Sequence, residues 1–152
     1  MSNFSLRYQD NGTLHDDIRL QLEEETWTCD SYYFALDRNV QEDDESTTKV
    51  KAVLRRLLEQ WLAAATGLPD GGTAFLPFDF SDQGTAWVRC KRAGDEVGMS
   101  LGWSRIEGWS IFPSEIGRHL SDLPDFESWT SEYRSSRDEL LQAIRDSLAR
   151  SA

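Results

Sequence analysis

Two short runs of alternating apolar and polar residues near the N-terminus predict a β-hairpin. An apolar side chain stands at every second position of each run: Phe4, Leu6, Tyr8, Ile18, Leu20 and Leu22. The pattern favours a three-residue loop with Gly12 in the left-handed conformation, which sets Phe4 opposite Ile18. Tyr8 then lies opposite Leu14, and all the apolar side chains share one face. A two-residue Asn-Gly loop would separate them.

A third strand and a polar linker are expected next. Residues 26–36, TWTCDSYYFAL, are rich in aromatic and β-favouring types, which predicts a strand, although three consecutive aromatic residues obscure its period. Residues 39–46, NVQEDDES, offer only Val40 for burial. We therefore interpret this segment as a solvated acidic linker.

The stretch STTKVKAVLRRLLEQWLAAATG predicts a long amphipathic helix of about five turns. Its apolar residues recur three and four positions apart: Val50, Val53, Leu54, Leu57, Trp61, Leu62 and Ala65. Ser46 or Thr47 can cap the start, and Gly67 followed by Pro69 marks the end.

Three strand patterns at short spacing follow the turn PDGG. In the first, TAFLPFDF, Pro77 indicates an edge strand or a bulge, because proline cannot donate a ladder hydrogen bond. The second and third, TAWVRCKR and EVGMSLGWS, are separated by the turn AGD. Pairing Lys91 with Glu96 also sets Cys90 opposite Val97, so charge and apolar matching predict the same register.

The stretch LGWSRIEGWS contains the triplet Gly-Trp-Ser twice, which predicts another hairpin. Because Ile111 continues the alternation of Trp109, we expect Trp103 and Trp109 to lie on one buried face. A two-residue loop between them would put the rings on opposite faces. The back of the strand carries only small residues: Gly98, Ser100 and Gly102. That flat strip can be approached closely by a helix, a ligand or another protein.

Helical spacing returns in the last third of the chain. Pro113 and Ser114 can open a short helix, and a longer helix is predicted from about Asp125. Its apolar stripe consists of Phe126, Trp129, Tyr133, Leu140, Leu141, Ile144 and Leu148.

The sequential blocks of strands and helices predict a single α+β domain over residues 1–152. We expect an antiparallel meander sheet, packed on one face by the long central helix and the C-terminal helix. A parallel sheet is disfavoured because the chain has no βαβ alternation.

Charge narrows the classes of partner. The chain has 27 acidic and 16 basic residues, a formal net charge of -11. Such a field repels nucleic acid and anionic lipid and attracts a basic protein, although an acidic surface also serves solubility alone. Without a basic head, a long apolar run or a membrane-spanning stretch, the chain is expected to lie in the cytoplasm of a bacterial-type cell.

No catalytic, metal-binding or cofactor-binding motif is recognised, so none is predicted. Cys29 and Cys90 lack the close-spaced ligands of a metal site and are interpreted as small buried hydrophobic residues, with a disulfide left open. His15 and His119 are interpreted as structural unless the fold brings them together. Ser81 lacks the preceding glycine that a nucleophile elbow requires.

The six tryptophans are candidate binding residues. Trp61 and Trp129 lie on helical stripes and are expected in the core. Trp87 shares a strand face with Arg89, and it is the leading candidate for an exposed aromatic unless a helix covers that face. The predicted partner-binding residues are Glu42, Asp43, Asp44, Glu45, Trp87 and Arg89.

The favoured hypothesis is an acidic protein-binding module, most concretely an inhibitor or immunity-type protein that neutralises a basic partner such as a toxin. One alternative is a secretion-type chaperone or adaptor that accepts an added strand at the Pro77 edge. The other is a small-molecule enzyme whose site is assembled from scattered carboxylates and a histidine.

Overall fold

The computed structural model describes residues 3–40 and 46–151. The strands are β1 (Phe4–Tyr8), β2 (Ile18–Leu22), β3 (Glu25–Cys29), β4 (Thr73–Ser81), β5 (Gly84–Ala93), β6 (Glu96–Ser104), β7 (Glu127–Ser128) and β8 (Tyr133–Ser136). The helices are α1 (Tyr32–Ala35), α2 (Thr47–Thr66) and α3 (Arg137–Arg150), with 3-10 helices at Gly108–Ser110 and Gly117–Leu120.

The described residues form two antiparallel sheets, one of strands β1 to β3 and one of strands β4 to β8. Helix α3 packs beside α2 and along β1. The predicted α+β class is confirmed, but the expected single meander is divided into sheets of three and five strands. No helix in the described ranges is long and apolar enough to cross a membrane.

The N-terminal hairpin is confirmed with a different register. Phe4 lies opposite Leu22, and Tyr8 lies opposite Ile18. The predicted partners were wrong because the connecting loop runs from residue 9 to 17 and not over three residues. Gly12 does take the left-handed conformation, with φ of 79°. The shift is an even number of residues, so the apolar side chains still share the buried face.

The third predicted strand is only half right. Its first part forms β3, but Tyr32–Ala35 forms the short helix α1. The run of three aromatic residues therefore belongs to a helical turn, in which successive side chains point in different directions. Phe34 is fully buried, whereas Tyr32 is exposed.

The long helix is confirmed at both ends. Ser46 accepts a hydrogen bond from the Lys49 backbone N–H, and Gly67 is the C-terminal cap. The predicted stripe is buried apart from Leu62, which is half-buried. Within it, Trp61 stacks on Phe4 of β1, with ring centroids 5.6 Å apart.

Strand β4 is an edge strand with a bulge between Pro77 and Asp79, as its proline predicts. The bulge joins the two sheets. The Pro77 carbonyl oxygen accepts a hydrogen bond from the ring N–H of Trp61, and the Phe78 carbonyl oxygen accepts one from the Cys29 thiol. Both of these backbone acceptors are therefore satisfied without a neighbouring strand.

The predicted β5–β6 register is wrong by two residues. Lys91 lies opposite Gly98, while Glu96 pairs across the strands with Ala93. The turn contains only two residues and needs Gly94 at a φ of 62°. Glu96 instead forms an ion pair with Arg134 of β8, whose guanidinium lies 3.6 Å from the Glu96 carboxylate.

The last helix begins twelve residues later than predicted, at Arg137 and not at Asp125. Ser136 and Glu139 form a capping box, which is the sequence signal for this start. The preceding segment instead pairs with β6 through β7 and β8. The Pro113 region likewise forms no helix at the predicted start; its short 3-10 helix begins at Gly117.

The strip of small residues on β6 is covered by this same segment of the chain. A Cβ at Gly102 would lie 2.3 Å from the Phe126 ring, and one at Gly98 would lie 2.3 Å from the Glu132 carboxyl carbon. The strip is therefore approached closely, as predicted, and the group that approaches it is another segment of the same chain. The hydroxyl of Ser100 is buried beneath this cover and has no hydrogen-bond partner within residues 3–40 and 46–151.

The predicted tryptophan pair does not form. Strand β6 ends at Ser104, and the chain then enters a 3-10 helix in which Trp109 is 63% exposed. Trp103 packs instead where Gly84 leaves room, since a Cβ there would lie 2.4 Å from its ring. Trp129 is also exposed, which corrects its predicted place in the core.

We expect Gly102→Ala to destabilise the protein by about 1–3 kcal/mol, because the added methyl group overlaps the Phe126 ring and the Glu127 carbonyl oxygen. Urea denaturation measures the free energy of unfolding. Ser100→Ala is the control on the same strand face: it removes an unpartnered hydroxyl and should leave stability equal or higher. Equal losses in both variants would contradict the described packing.

Candidate functional site

Large exposed apolar side chains are the most informative surface feature. Those of the described residues are Trp27, Tyr32, Trp109, Phe112 and Trp129. Aromatic residues in clusters on a surface mark interaction sites more often than isolated ones do. Here they fall into two groups, one around Trp109 and one around Trp27.

The first group, which we call the Trp109 surface, consists of Tyr33, Trp109 and Phe112 with the carboxylates of Asp82 and Glu107. Tyr33, Trp109 and Phe112 line one cavity of about 370 Å³, together with Leu36, Arg38, Gly108 and Ile111. The volume and the aromatic walls suit the insertion of one large side chain.

A tight backbone contact positions Trp109. The 3-10 helix lies against the end of β4, where a Cβ at Gly108 would come within 2.7 Å of the Ser81 backbone. Only glycine allows this approach. The ring N–H of Trp109 donates to the Glu107 carboxylate over 2.6 Å, which holds the exposed ring in one orientation.

Buried polar groups hold the loop that carries Phe112. Asp37 is 1% exposed and accepts hydrogen bonds from both the backbone N–H and the hydroxyl of Ser114. Gln60 of α2 donates to the Pro113 carbonyl oxygen and accepts from the Ile116 N–H. The exposed aromatic side chains therefore stand on a loop tied to the core at several points.

A carboxylate pairs with the third aromatic side chain of the surface. The Tyr33 hydroxyl donates to Asp82, and this hydrogen bond is the main cause that raises the pKa of Tyr33 to about 12. The phenol therefore stays protonated at neutral pH. The charge of Glu107 contributes in the same direction, so both carboxylates act on one ring.

The second group joins the two sheets at the surface. The rings of Trp27 and Trp129 lie 5.0 Å apart, and the Trp27 ring N–H donates to Asp79 over 2.8 Å. Burial is the main cause that raises the pKa of the Asp79 carboxyl, and the charge of Asp30 adds to it. The hydrogen bond from Trp27 acts in the opposite direction without cancelling the shift.

A series of contacts connects the two groups. Asp30 lies 3.3 Å from His15, and the His15 ring stacks on Tyr32 at 6.2 Å. Tyr32 in turn meets Tyr33 edge to face. Three rings in succession thus lead from Asp30, whose charge acts on Asp79, to Tyr33 of the Trp109 surface.

Of the six predicted binding residues, the structure describes Trp87 and Arg89. Glu42, Asp43, Asp44 and Glu45 fall outside the described residues. The prediction that Trp87 is exposed is wrong: its side chain is 0% exposed, lies near His119, and donates to the Thr85 hydroxyl. Arg89 is half-buried, with its guanidinium 5.0 Å from the Phe126 ring. This sheet face is contacted by His119 of the 3-10 helix Gly117–Leu120 and by Phe126, which directly precedes β7.

The structure gives the two histidines separate neighbours. His15 contacts Asp30 and Tyr32, whereas His119 lies 6.4 Å from the Trp87 ring. Cys29 and Cys90 are both free and buried, as small hydrophobic residues are. No cluster of three or more His, Cys, Asp or Glu side chains suited to a metal ion occurs in the described ranges.

Sequence reasoning missed Trp109 as a surface residue because it assumed that a strand continues through the second Gly-Trp-Ser triplet. The available signal was Pro113 so close behind it, since proline does not fit a central strand. Asp37 and Gln60 carried no signal, because their partners are 77 and 56 residues away in sequence.

In comparisons with known proteins, no family model, no curated protein and no solved structure matched this chain.

We expect Asp79→Asn to stabilise the protein at neutral pH. Folding raises the pKa of Asp79, so the protonated acid stabilises the folded state relative to the ionised one. This stabilisation is lost as pH rises through the raised pKa, and at neutral pH the buried carboxylate is a cost that the amide removes. The amide keeps an acceptor for Trp27 without the buried charge. The gain in melting temperature over the wild type should shrink as pH falls below the ordinary range of an aspartate.

The control for this comparison is Asp122→Asn, which removes the same charge at an exposed position. Its change in melting temperature measures the gain that comes from removing any one negative charge from an acidic protein. A gain of equal size and equal pH dependence in both variants would show that Asp79 has no special environment.

Proposed function

We propose that this protein is a binding module that recognises a basic protein through the Trp109 surface. The observation that carries the proposal is the exposure of Trp109 and Phe112 on a loop that Asp37 and Gln60 fasten to the core. Aromatic side chains that are already held in place lose little conformational entropy on binding.

The chemistry of the partner follows from charge. The surface combines aromatic rings with the carboxylates of Asp82 and Glu107, in a chain of net charge -11. A Lys or Arg side chain of the partner is attracted by the ring faces and by these two carboxylates, which outnumber the one cation that lines the cavity, Arg38. The long-range field also speeds the encounter with a basic protein.

The concrete form of the proposal is an inhibitor or immunity-type protein that neutralises a basic enzyme such as a toxin. The adaptor alternative needs a free edge at β4 that accepts an added strand. There the carbonyl oxygens of Pro77 and Phe78 already accept hydrogen bonds from Trp61 and Cys29, which makes strand addition less favourable.

The test begins with capture of partners at low salt from the cells that make the protein, followed by purification of the captured protein. Its dissociation constant is then measured by titration calorimetry. Trp109→Ala and Phe112→Ala are each expected to weaken binding by about 2 kcal/mol, roughly 30-fold, as for buried interface anchors. Affinity for the wild type should fall steeply with salt.

Trp129→Ala is the matched control, since it removes an exposed tryptophan outside the Trp109 surface. It should bind like the wild type. An acidic partner, binding that does not respond to salt, or equal losses for Trp109→Ala and Trp129→Ala would contradict the proposal. If the partner is an enzyme, its activity in the complex shows whether binding inhibits it.

A further inference from the structure

Two arginines face each other on the outer side of the three-stranded sheet. Arg7 of β1 lies directly opposite Arg19 of β2, and Arg19 lies directly opposite Thr28 of β3. These three residues form a row across the sheet, on the face that points away from the core. Both arginine side chains are exposed.

This row is unfavourable in the protein alone. Like charges directly opposite each other in an antiparallel pair destabilise a sheet. The chain contains 27 acidic residues, yet neither guanidinium has a hydrogen-bond or ion-pair partner among the residues that the structure describes. Among those residues, no direct ion pair therefore offsets the repulsion between Arg7 and Arg19.

The row lies in a polar cavity of about 250 Å³. Its lining includes the hydroxyl groups of Ser5 and Thr28 beside the two arginines. Two carboxylates also line the cavity, that of the exposed Asp16 and that of Asp17. The Asp17 carboxylate accepts hydrogen bonds from the backbone N–H and the hydroxyl of Ser31, and the residue is 4% exposed. Its charge is thus already engaged with another part of the chain.

We propose that this groove binds a phosphate-type dianion, either free phosphate or the phosphate group of a small ester. Two guanidinium forks and two hydroxyl groups supply donors to several oxygens of one tetrahedral anion, and its charge offsets the repulsion between Arg7 and Arg19. A small anion fits better than nucleic acid or a lipid surface, because the net charge of -11 repels an extended polyanion more strongly than a single dianion. The site is separate from the Trp109 surface.

The test is a titration followed by the backbone amide NMR signals of β1 and β2 at constant ionic strength. The probes are inorganic phosphate, glycerol 3-phosphate and, as a monovalent carboxylate, acetate. The wild type is expected to show saturable shifts with at least one phosphate probe and none with acetate. Arg7→Gln and Arg19→Gln should each weaken the response at least tenfold.

Arg145→Gln is the matched control, because it removes the same charge at an exposed position outside the groove. It should respond like the wild type. Tighter binding of glycerol 3-phosphate than of phosphate would identify an ester as the ligand, and the reverse would identify the free ion. Shifts that do not saturate, an equal response to acetate, or an equal loss in Arg145→Gln would overturn the proposal.

Thermal unfolding without ligand separates loss of binding from loss of fold. Arg7→Gln and Arg19→Gln should melt at the same temperature as the wild type or higher, because each removes one of two repelling charges. Added phosphate should raise the melting temperature of the wild type and of Arg145→Gln only. A clear drop in melting temperature for both groove variants would mean that the arginines support the fold, and would overturn the assignment.

Discussion

The bulge in β4 is the constraint on which the rest of the structure depends. The register with β5 shifts at this point, and the Pro77 and Phe78 carbonyl oxygens accept hydrogen bonds from Trp61 and Cys29. Trp61 also stacks on Phe4, so one side chain connects the long helix with both sheets. Two separate sheets can share one core because these polar groups are satisfied where they meet.

The same bulge shapes the surface beside it. Asp79 follows directly and accepts the ring N–H of Trp27, which brings Trp27 against Trp129. At the Trp109 surface, Asp37 and Gln60 fix the loop that presents Phe112. In the first place the half-buried Asp79 binds the exposed ring itself, and in the second Asp37 and Gln60 bind the backbone beside the exposed ring.

The charges of this acidic protein are not spread evenly over its surface. Carboxylates accompany the exposed aromatic rings, as Glu107 accompanies Trp109 and Asp82 accompanies Tyr33. The outer face of the three-stranded sheet instead places Arg7 opposite Arg19. Neither surface carries one sign of charge only, since Arg38 lines the cavity of the Trp109 surface and Asp16 and Asp17 line the groove. The ligands that we propose for the two surfaces are opposite in charge.

The sequence by itself determined which residues enter the core along β1, β2 and the long helix, because burial there follows periods of two and of 3.6 residues. It did not do so along β5, where Trp87 on the other face is also buried. It did not determine strand register. Both hairpin predictions were shifted by an even number of residues, since periodicity fixes the face of a side chain and not its partner.

Tertiary structure alone decided the rest. The spacing of Phe126, Trp129 and Tyr133 is typical of a helix, yet these side chains contact two strands of different sheets. Phe126 lies against Gly102 of β6, whereas Trp129 and Tyr133 contact Trp27 and Glu25 of β3. Trp87 was expected to be exposed and is buried, whereas Trp109 was expected to be buried and is exposed. The exposure of each ring depends on which other segments of the chain cover it. That cover comes from contacts between residues far apart in sequence, which local patterns do not encode.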